Sequence, residues 1–230
     1  MTTTTTTTPI PPVPPVTTLQ PSPPPPHPPQ RQIRALYDST TITVYQAYPS
    51  AIADAAVATQ RLSASPAFKP GRMTWIKPSW CWMMYRSGYA LKDARQERVL
   101  ALRVTHEGFA ALLRRGVLTH EVGANERKEK KEGAGGGVRV QWDPERSPRL
   151  ERCAWRSLQV GIPPGLVQRW VDEWVVGIED VTARARGLKE AVEGEGEAVD
   201  DAELRRRGLL PDERVYVLPA DVAAVVGVDG

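Results

Sequence analysis

The chain has 230 residues, 25% of them charged, and a formal net charge of +3. This length suits one domain with a substantial core and flanking segments, and a charge so close to balance does not require a nucleic-acid partner. No apolar run approaches the roughly 20 residues that span a bilayer, and the N-terminus lacks the pattern of a secretory signal. We therefore expect a soluble intracellular protein, cytoplasmic or nuclear, that does not bind membranes.

Residues 1–30 form a threonine run followed by proline clusters, with almost no side chain that can anchor a core. This composition predicts a disordered tail with polyproline II character. Two roles are compatible with it. The tail is either a dispensable extension or a docking segment for SH3 or WW modules.

From residue 31 onward the pattern is that of a folded α+β domain. Runs rich in Val, Ile, Thr and aromatic residues predict strands at residues 31–39, 41–48, 72–76, 97–104, 137–145, 156–162 and 175–182. Capped or amphipathic runs predict helices at residues 49–62, from Ser79 onward, at 105–116 and at 163–174. Because the two element types do not alternate regularly, we predict a mostly antiparallel sheet with flanking helices.

The domain boundaries follow from changes in composition. We predict a single α+β domain over residues 31–186, followed over residues 187–230 by an acidic linker and a C-terminal extension. Within that extension, residues 215–227 have the pattern of a strand and a short helix. A charged, glycine-rich segment at residues 125–137 interrupts the domain and predicts a solvated, mobile loop.

The motifs exclude several function classes. No glycine-rich phosphate-binding motif follows a strand, which excludes Rossmann and P-loop sites. Cys81 and Cys153 lack C-x-x-C spacing and are expected to be buried, reduced thiols. His27, His106 and His120 have no metal-ligand spacing, so we expect no bound metal. The last two histidines are interpreted as helix-end residues, with general-base catalysis as the alternative.

The most unusual stretch is WIKPSWCWMMYRSGY, residues 75–89, which mixes aromatic, sulfur-containing and cationic side chains. One interpretation is a core helix that is buried on nearly all sides. The other is the wall of a site for a flat anionic ligand. Lys77 and Arg86 support the second interpretation, because a buried charge needs water, a carboxylate or a ligand beside it.

Polar residues within predicted strands add further candidates for ligand contacts. Arg34 is flanked by apolar residues, so its guanidinium group is expected in a cleft or on a sheet rim. The second predicted strand presents Gln46 and Tyr48 on one face and Tyr45 on the other. Gln159 lies in the middle of an apolar strand, where an amide needs a hydrogen-bond partner.

Four sequence blocks resemble a bacterial and fungal family called domain of unknown function 4291. The blocks are RQIRALYDSTTITVYQAY, RMTWIKPSWCWMMYRSGY, VRVQWDPER and VDEWVVGIEDVT. The resemblance covers about residues 31–182 and excludes both ends of the chain. Because the family has no assigned function, the resemblance implies little about activity.

The order of the motifs is also similar to that of the ADP-ribosyltransferase fold, a split sheet with flanking helices. That fold has a strand bearing His or Arg before a helix, then a strand with Tyr or Ser that leads into another helix. A late strand bears Glu or Gln. Matched to this order, Gln46 or Arg34 stands at the first motif, residues 77–79 at the second and Gln159 at the third.

The second resemblance implies an NAD-dependent ADP-ribosyltransferase. Its acceptor is unknown, and nucleic acid is one of the candidates. NAD is then a substrate. The implied catalytic residues are Arg34, Gln46 and Gln159, with Glu145 or Glu179 in place of the glutamate that the late motif lacks. The implied NAD-binding residues are Tyr45, Tyr48, Lys77, Ser79, Trp82, Tyr85 and Arg86.

Two further hypotheses belong to other classes. Arg34, Lys77 and Arg86, interleaved with aromatic residues, also suit a non-catalytic module that binds nucleotides or single-stranded nucleic acid, since stacking platforms beside cations bind such ligands. In the third hypothesis the aromatic residues are core and the protein is an interaction domain. The binding module predicts a steep dependence on salt, whereas the interaction domain predicts no stabilisation by any nucleotide.

Overall fold

A computed structural model describes residues 30–119 and 137–229 of the chain. Three parts of the sequence analysis lie outside these ranges: the predicted disordered tail up to residue 29, His120, and residues 125–136 of the predicted mobile loop. In the described part of the chain no helix combines the length and the apolar character needed to cross a membrane.

The described residues form a mixed α and β structure. The strands are β1 Arg34–Ala35, β2 Thr41–Tyr48, β3 Thr74–Ile76, β4 Arg98–Thr105, β5 Gly116–Leu118, β6 Val138–Arg146, β7 Arg152–Ile162, β8 Val175–Asp180 and β9 Arg214–Val215. The helices are α1 Ser50–Thr59, α2 Trp80–Ser87, α3 His106–Leu113, α4 Pro164–Arg169, α5 Thr182–Gly194, α6 Asp201–Arg206 and α7 Ala220–Val226. Short 3-10 turns lie at Leu62–Ala64 and Gly196–Ala198.

The strands pair into two main sheets and one ribbon. The three-stranded sheet has the order β2-β4-β8, the four-stranded sheet has the order β3-β7-β6-β5, and β1 pairs with β9. All these pairs are antiparallel except β5 with β6. The prediction of a mostly antiparallel α+β fold is therefore confirmed. The finer prediction of an ADP-ribosyltransferase-like fold stays a prediction.

The two main sheets meet where β2 passes the end of β3. The backbone N–H of Tyr45 donates to the carbonyl of Lys77 over 2.7 Å, and the N–H of Lys77 donates back over 3.2 Å. Pairing ends there because Pro78 has no N–H to donate. The chain then turns directly into α2, so residues from both sheets and from this helix lie close together.

Two apolar clusters hold the elements together. The larger one lies between the inner faces of the sheets and includes Trp142 and Trp170. The second packs α2 and α5 against the three-stranded sheet and includes Tyr45 and Trp80. Apolar burial of this kind contributes about 25 cal/mol per Å² of buried surface.

Several predicted elements and one predicted boundary differ in extent from the structure. The predicted strand at residues 31–39 is reduced to β1, because Asp38 accepts backbone N–H bonds from Thr40 and Thr41 in a turn, each over 2.7 Å. The helix predicted at residues 163–174 is α-helical only as far as Arg169 and then continues as a π turn. The predicted boundary at residue 186 falls inside α5, and residues beyond it, Leu188 among them, are buried in the second cluster.

Candidate functional site

The stretch at residues 75–89 divides into core and surface once α2 forms. Ser79 begins the helix, and its hydroxyl accepts the backbone N–H of Trp82 over 3.1 Å. Gly88 ends it with φ of 57°, a conformation that glycine adopts without strain. Trp80 and Met84 are fully buried in the second cluster, whereas Tyr85 on the outer side is 44% exposed. The inner face of this helix therefore belongs to the core and its outer face reaches solvent, and the ligand-wall interpretation stays a prediction.

Lys77 is the least expected feature of this region, because a charged side chain is only 4% exposed. Its ammonium lies 4.9 Å from the centroid of the Trp82 ring, and in the described part of the chain it makes no ion pair. Burial and the nearby charge of Arg86 lower the pKa of Lys77 from 10.5 to about 7, against the opposing charge of Asp143. An anion placed beside Lys77 would restore the ammonium.

Lys77 borders a row of polar side chains on one face of the four-stranded sheet. Along β6 the buried Val140 and Trp142 alternate with polar residues that point the other way. Antiparallel pairing with β7 then sets Gln141 opposite Gln159. The amide N–H of Gln159 donates to Gln141 Oε1 over 2.6 Å and lies 3.4 Å from Asp143 Oδ2.

We call Lys77, Gln141, Asp143 and Gln159 the polar face. The ring of Trp75 extends across the same sheet, where a Cβ on Gly161 would approach its ring atoms to 2.9 Å. The glycine therefore allows an aromatic ring to lie close to the backbone beside the polar face.

The outer side of α2 forms one border of the polar face. The guanidinium of Arg146 lies 3.8 Å from the centroid of the Tyr85 ring, a distance typical of a cation–π contact. Arg86 donates to Gln96 Oε1 over 2.7 Å. The ring of Tyr85 is thus covered on one face by a cation of the protein itself.

Two carboxylates lie at the start of α2. The Ser79 hydroxyl donates to Glu145 Oε1 over 2.9 Å, and the backbone N–H of Trp80 donates to Glu213 Oε1 over 2.6 Å. Burial raises the pKa of both acids, and the negative charge of Glu145 raises that of Glu213 further. The positive charge of Arg34 acts in the opposite direction and offsets only part of the rise in both pKa values. We call Glu145 and Glu213 the acid pair.

Gln46 has a different environment from the polar face. It is 4% exposed, and its amide N–H groups donate to Thr74 Oγ1 over 2.6 Å and to the Trp75 carbonyl over 2.9 Å. Its oxygen accepts the Tyr48 hydroxyl over 2.9 Å. Burial raises the pKa of Tyr48 to about 12. These bonds join β2 to β3 and leave Gln46 no free donor.

A family model described as Domain of unknown function (DUF4291) matches residues 32–216. The chain belongs to this family. The match spans both main sheets and the β1–β9 ribbon, and it continues past residue 182, where the resemblance noted in the sequence ended. No curated protein matches the chain.

The structure of this DUF4291 member separates the sequence-predicted site residues into three groups. The residues at or beside the polar face are Lys77, Trp82, Tyr85, Arg86 and Gln159. Ser79 and Arg34 lie near the acid pair, where Arg34 also stacks its guanidinium 5.4 Å from the Trp155 ring centroid. Gln46 and Tyr48 hold the sheet junction together, and Tyr45 is buried against Trp80 at 5.2 Å between ring centroids.

Sequence reasoning missed Asp143 and Glu213 as site residues of this DUF4291 protein. Asp143 had a usable signal, because the alternation of β6 places it on the same face as Gln141. Glu213 had none, since 133 positions separate it from Trp80, which it contacts. Glu179, a suggested substitute for the late glutamate, instead lies 3.6 Å from Arg184 in an exposed ion pair.

Within residues 30–119 and 137–229, no three His, Cys, Asp or Glu side chains are grouped so as to hold a metal ion. Cys81 is buried and Cys153 is half-buried, and both are free thiols. Burial raises the pKa of both thiols, which disfavours the reactive thiolate.

Proposed function

We propose that this DUF4291 protein binds NAD on the polar face and transfers its ADP-ribose group to an acceptor. The observation that carries the proposal is Lys77, a nearly buried ammonium without an ion pair among the described residues. A cation in that position is suited to a pyrophosphate, because charge-assisted hydrogen bonds to phosphate oxygens are strong in a poorly solvated site. The aromatic residues beside Lys77 supply the apolar wall that a nicotinamide ring requires.

The relative position of the motif strands supports the proposal. The resemblance to ADP-ribosyltransferases assigns the three motifs to β2, to the end of β3 and to β7. In the structure β2 joins the end of β3 through the Tyr45–Lys77 bridge, and β3 pairs directly with β7. Segments far apart in the sequence are therefore neighbours, although Gln46 itself uses its amide within the sheet junction and only the second and third motifs border the polar face.

The polar face also contains a carboxylate that the late motif lacks. Gln159 stands where the resemblance expects a glutamate or glutamine, and Asp143 on the neighbouring strand lies 3.4 Å from its amide. We assign to Asp143 the stabilisation of positive charge on the ribose. Gln159 then orients the ribose hydroxyls by hydrogen bonding.

The reaction conserves atoms and charge without a further reagent. The bond between ribose C1′ and the nicotinamide nitrogen breaks, and its electron pair leaves with neutral nicotinamide. The positive charge that develops on the ribose is balanced by the Asp143 carboxylate. A nucleophile of the acceptor forms the new bond to C1′ and releases its proton to solvent.

The non-catalytic binding module is retained as the second candidate because the same cations and aromatic rings serve it. However, Lys77 lies over Trp82 and Arg146 lies over Tyr85, at 4.9 and 3.8 Å from the ring centroids. These contacts occupy ring faces on which bases would stack. Stacking of a nucleic-acid base or of a nicotinamide ring on these faces would therefore require the cations to move, and the salt dependence of binding separates the two candidates.

The deciding experiment combines binding and turnover with the full-length chain. Thermal unfolding is recorded with NAD, ADP-ribose and a short single-stranded RNA, and nicotinamide release is followed by chromatography. A ligand at a hundred times its dissociation constant adds about 2.7 kcal/mol to the unfolding free energy. We expect NAD and ADP-ribose, but not RNA, to stabilise the wild type.

Variants separate binding from catalysis. We expect Asp143→Asn to retain NAD binding and to lower turnover by about a hundredfold or more, the usual effect of removing one electrostatic contact to the transition state. Arg95→Gln is the control for the loss of an exposed surface charge, because the Arg95 side chain is 88% exposed. Stabilisation by RNA alone, with a steep salt dependence, would favour the binding module. Unchanged turnover in Asp143→Asn would refute the assigned role of Asp143.

A further inference from the structure

A cavity lies on the three-stranded sheet, separate from the polar face. Its volume is about 410 Å³, and its lining includes Thr43, Tyr45 and Arg103. These residues alternate along β2 and β4 with Val44 and Leu102, which belong to the larger apolar cluster. The cavity is therefore on the opposite face of this sheet from that cluster.

Arg103 is held in a defined position in this cavity. It pairs across the sheet with Gly177, and a Cβ at Gly177 would lie 2.5 Å from the Arg103 guanidinium nitrogens. The guanidinium therefore lies flat on the backbone of β8, in space that only glycine leaves open. Arg103 makes no ion pair within residues 30–119 and 137–229, so its charge is available to a ligand.

Tyr45 also lines the cavity, and its hydroxyl is a donor without a described partner. The residue is 0% exposed, and its hydroxyl has no hydrogen-bond partner among the described residues. Burial raises the pKa of Tyr45 well above 10.0, so the phenol stays neutral and can donate. An unsatisfied buried hydroxyl costs about 1–3 kcal/mol, a cost that an acceptor atom of a ligand would remove.

The acidic residues that line the cavity have hydrogen-bond or ion-pair partners of their own. Asp38 accepts bonds from the backbone N–H groups of Thr40 and Thr41 in its own turn, which lowers its pKa. Glu179 lies 3.6 Å from Arg184 in an ion pair. Two arginines line this cavity, and Arg184 is the one that is paired. No described carboxylate lies within ion-pair distance of Arg103.

We propose that this cavity binds the phosphate group of a phosphate monoester, with Arg103 as its charge partner and the Tyr45 hydroxyl as a donor. A guanidinium fork matches two phosphate oxygens at once, and the phenol reaches a third. Thr43 supplies a hydroxyl at the wall. The proposal does not depend on NAD binding, since the cavity and the polar face share no side chain.

The test uses the full-length chain and inorganic phosphate as the probe. Thermal unfolding and calorimetric titration are performed with phosphate and with acetate, at an ionic strength kept constant with sodium chloride. We expect phosphate to stabilise the wild type and acetate to have no comparable effect, because acetate has one charge and two oxygens. Equal stabilisation by acetate would overturn the assignment to phosphate.

Three variants and one control test whether phosphate binds in this cavity. Arg103→Gln removes the charge, and we expect it to weaken phosphate binding about tenfold or more, since a charge-assisted bond contributes about 1.5–3 kcal/mol. Gly177→Ala keeps every charge but displaces the guanidinium, so we expect a similar loss. Tyr45→Phe retains the ring that packs on Trp80 and is expected to weaken binding about fivefold, the effect of one neutral hydrogen bond.

Arg95→Gln removes the same charge from an exposed position and should leave phosphate binding unchanged. If Gly177→Ala fails to fold, Arg103→Gln and Tyr45→Phe still decide the result. Equal phosphate affinity in wild type, Arg103→Gln and Tyr45→Phe would refute the site. An equal loss in Arg103→Gln and Arg95→Gln would show a general charge effect and would also refute it.

Discussion

Gln46 at the sheet junction and Gln159 at the polar face are both strand glutamines, yet their hydrogen-bond partners differ in kind. At the junction, Gln46 directs its amide to Thr74 Oγ1, the Trp75 carbonyl and the Tyr48 hydroxyl. At the polar face, Gln159 bonds only to side chains of the same face. The first glutamine connects the two main sheets, whereas the second connects two strands within one sheet on a half-buried face.

The comparison shows why residue type alone does not identify a site. A buried polar group with all its bonds made inside the protein stabilises the fold, because breaking any of them leaves a partner unsatisfied. A polar or charged group without such partners is costly to the fold unless a ligand completes it. Lys77 and the Tyr45 hydroxyl are of this second kind.

The largest expected effect is on stability at the junction. Gln46→Leu removes the hydrogen bonds that the amide makes with Thr74, the Trp75 carbonyl and Tyr48, so we expect the unfolding free energy to fall by about 3 kcal/mol. Gln159→Leu on the half-buried polar face is expected to lower it by less than about 1 kcal/mol. Urea denaturation of both variants measures the difference, and equal losses would contradict the division into structural and ligand-facing glutamines.

An intermediate effect on the unfolding free energy is expected when Lys77 is replaced. The pKa of Lys77 in the folded state is about 7, below the usual 10.5. A lowered lysine pKa means that the folded state bears the cost of burying the charge below pH 7, and that this cost disappears as the pH rises toward 10.5. We expect Lys77→Met to be more stable than the wild type by at least about 1 kcal/mol at pH 6.

The gap between Lys77→Met and the wild type should narrow as the pH rises from 7 to 10. Chemical denaturation at pH 6, 8 and 10 measures this trend. A gap that stays constant with pH would show that Lys77 is charged and compensated throughout, and its proposed role toward an anion would lose its basis.

The smallest effect is expected for Arg34→Ala at the edge of the acid pair. Arg34 is exposed and stacks on Trp155, so the unfolding free energy should fall by less than about 1 kcal/mol. Loss of its charge raises the pKa of Glu145 and Glu213 further. When folding raises the pKa of an acid, the unfolding free energy of the protein falls as the pH rises. The unfolding free energies of the variant and the wild type should therefore differ more at pH 8 than at pH 5. A difference that is larger at pH 5 would contradict this arrangement.

Much of the fold was predictable because its signals are local. Alternating β-branched and aromatic residues predicted the long strands β2, β4, β6 and β7, and the Ser79 cap predicted the start of α2. Each of these signals depends on side chains within about one turn or one strand of each other. The mostly antiparallel α+β class followed from the order of these elements.

The site was only partly predictable. The mixture of cations and aromatic residues at residues 75–89 indicated a ligand wall, and Lys77 and Trp82 do border the polar face. The choice between Gln46 and Gln159 required the pairing of β2, β3 and β7. The contact between Glu213 and Trp80 spans 133 positions and depends on the path of the chain after α6. Hydrogen-bond partners are set by long-range register, so only the tertiary structure decides which polar residues the protein satisfies itself and which it leaves for a ligand.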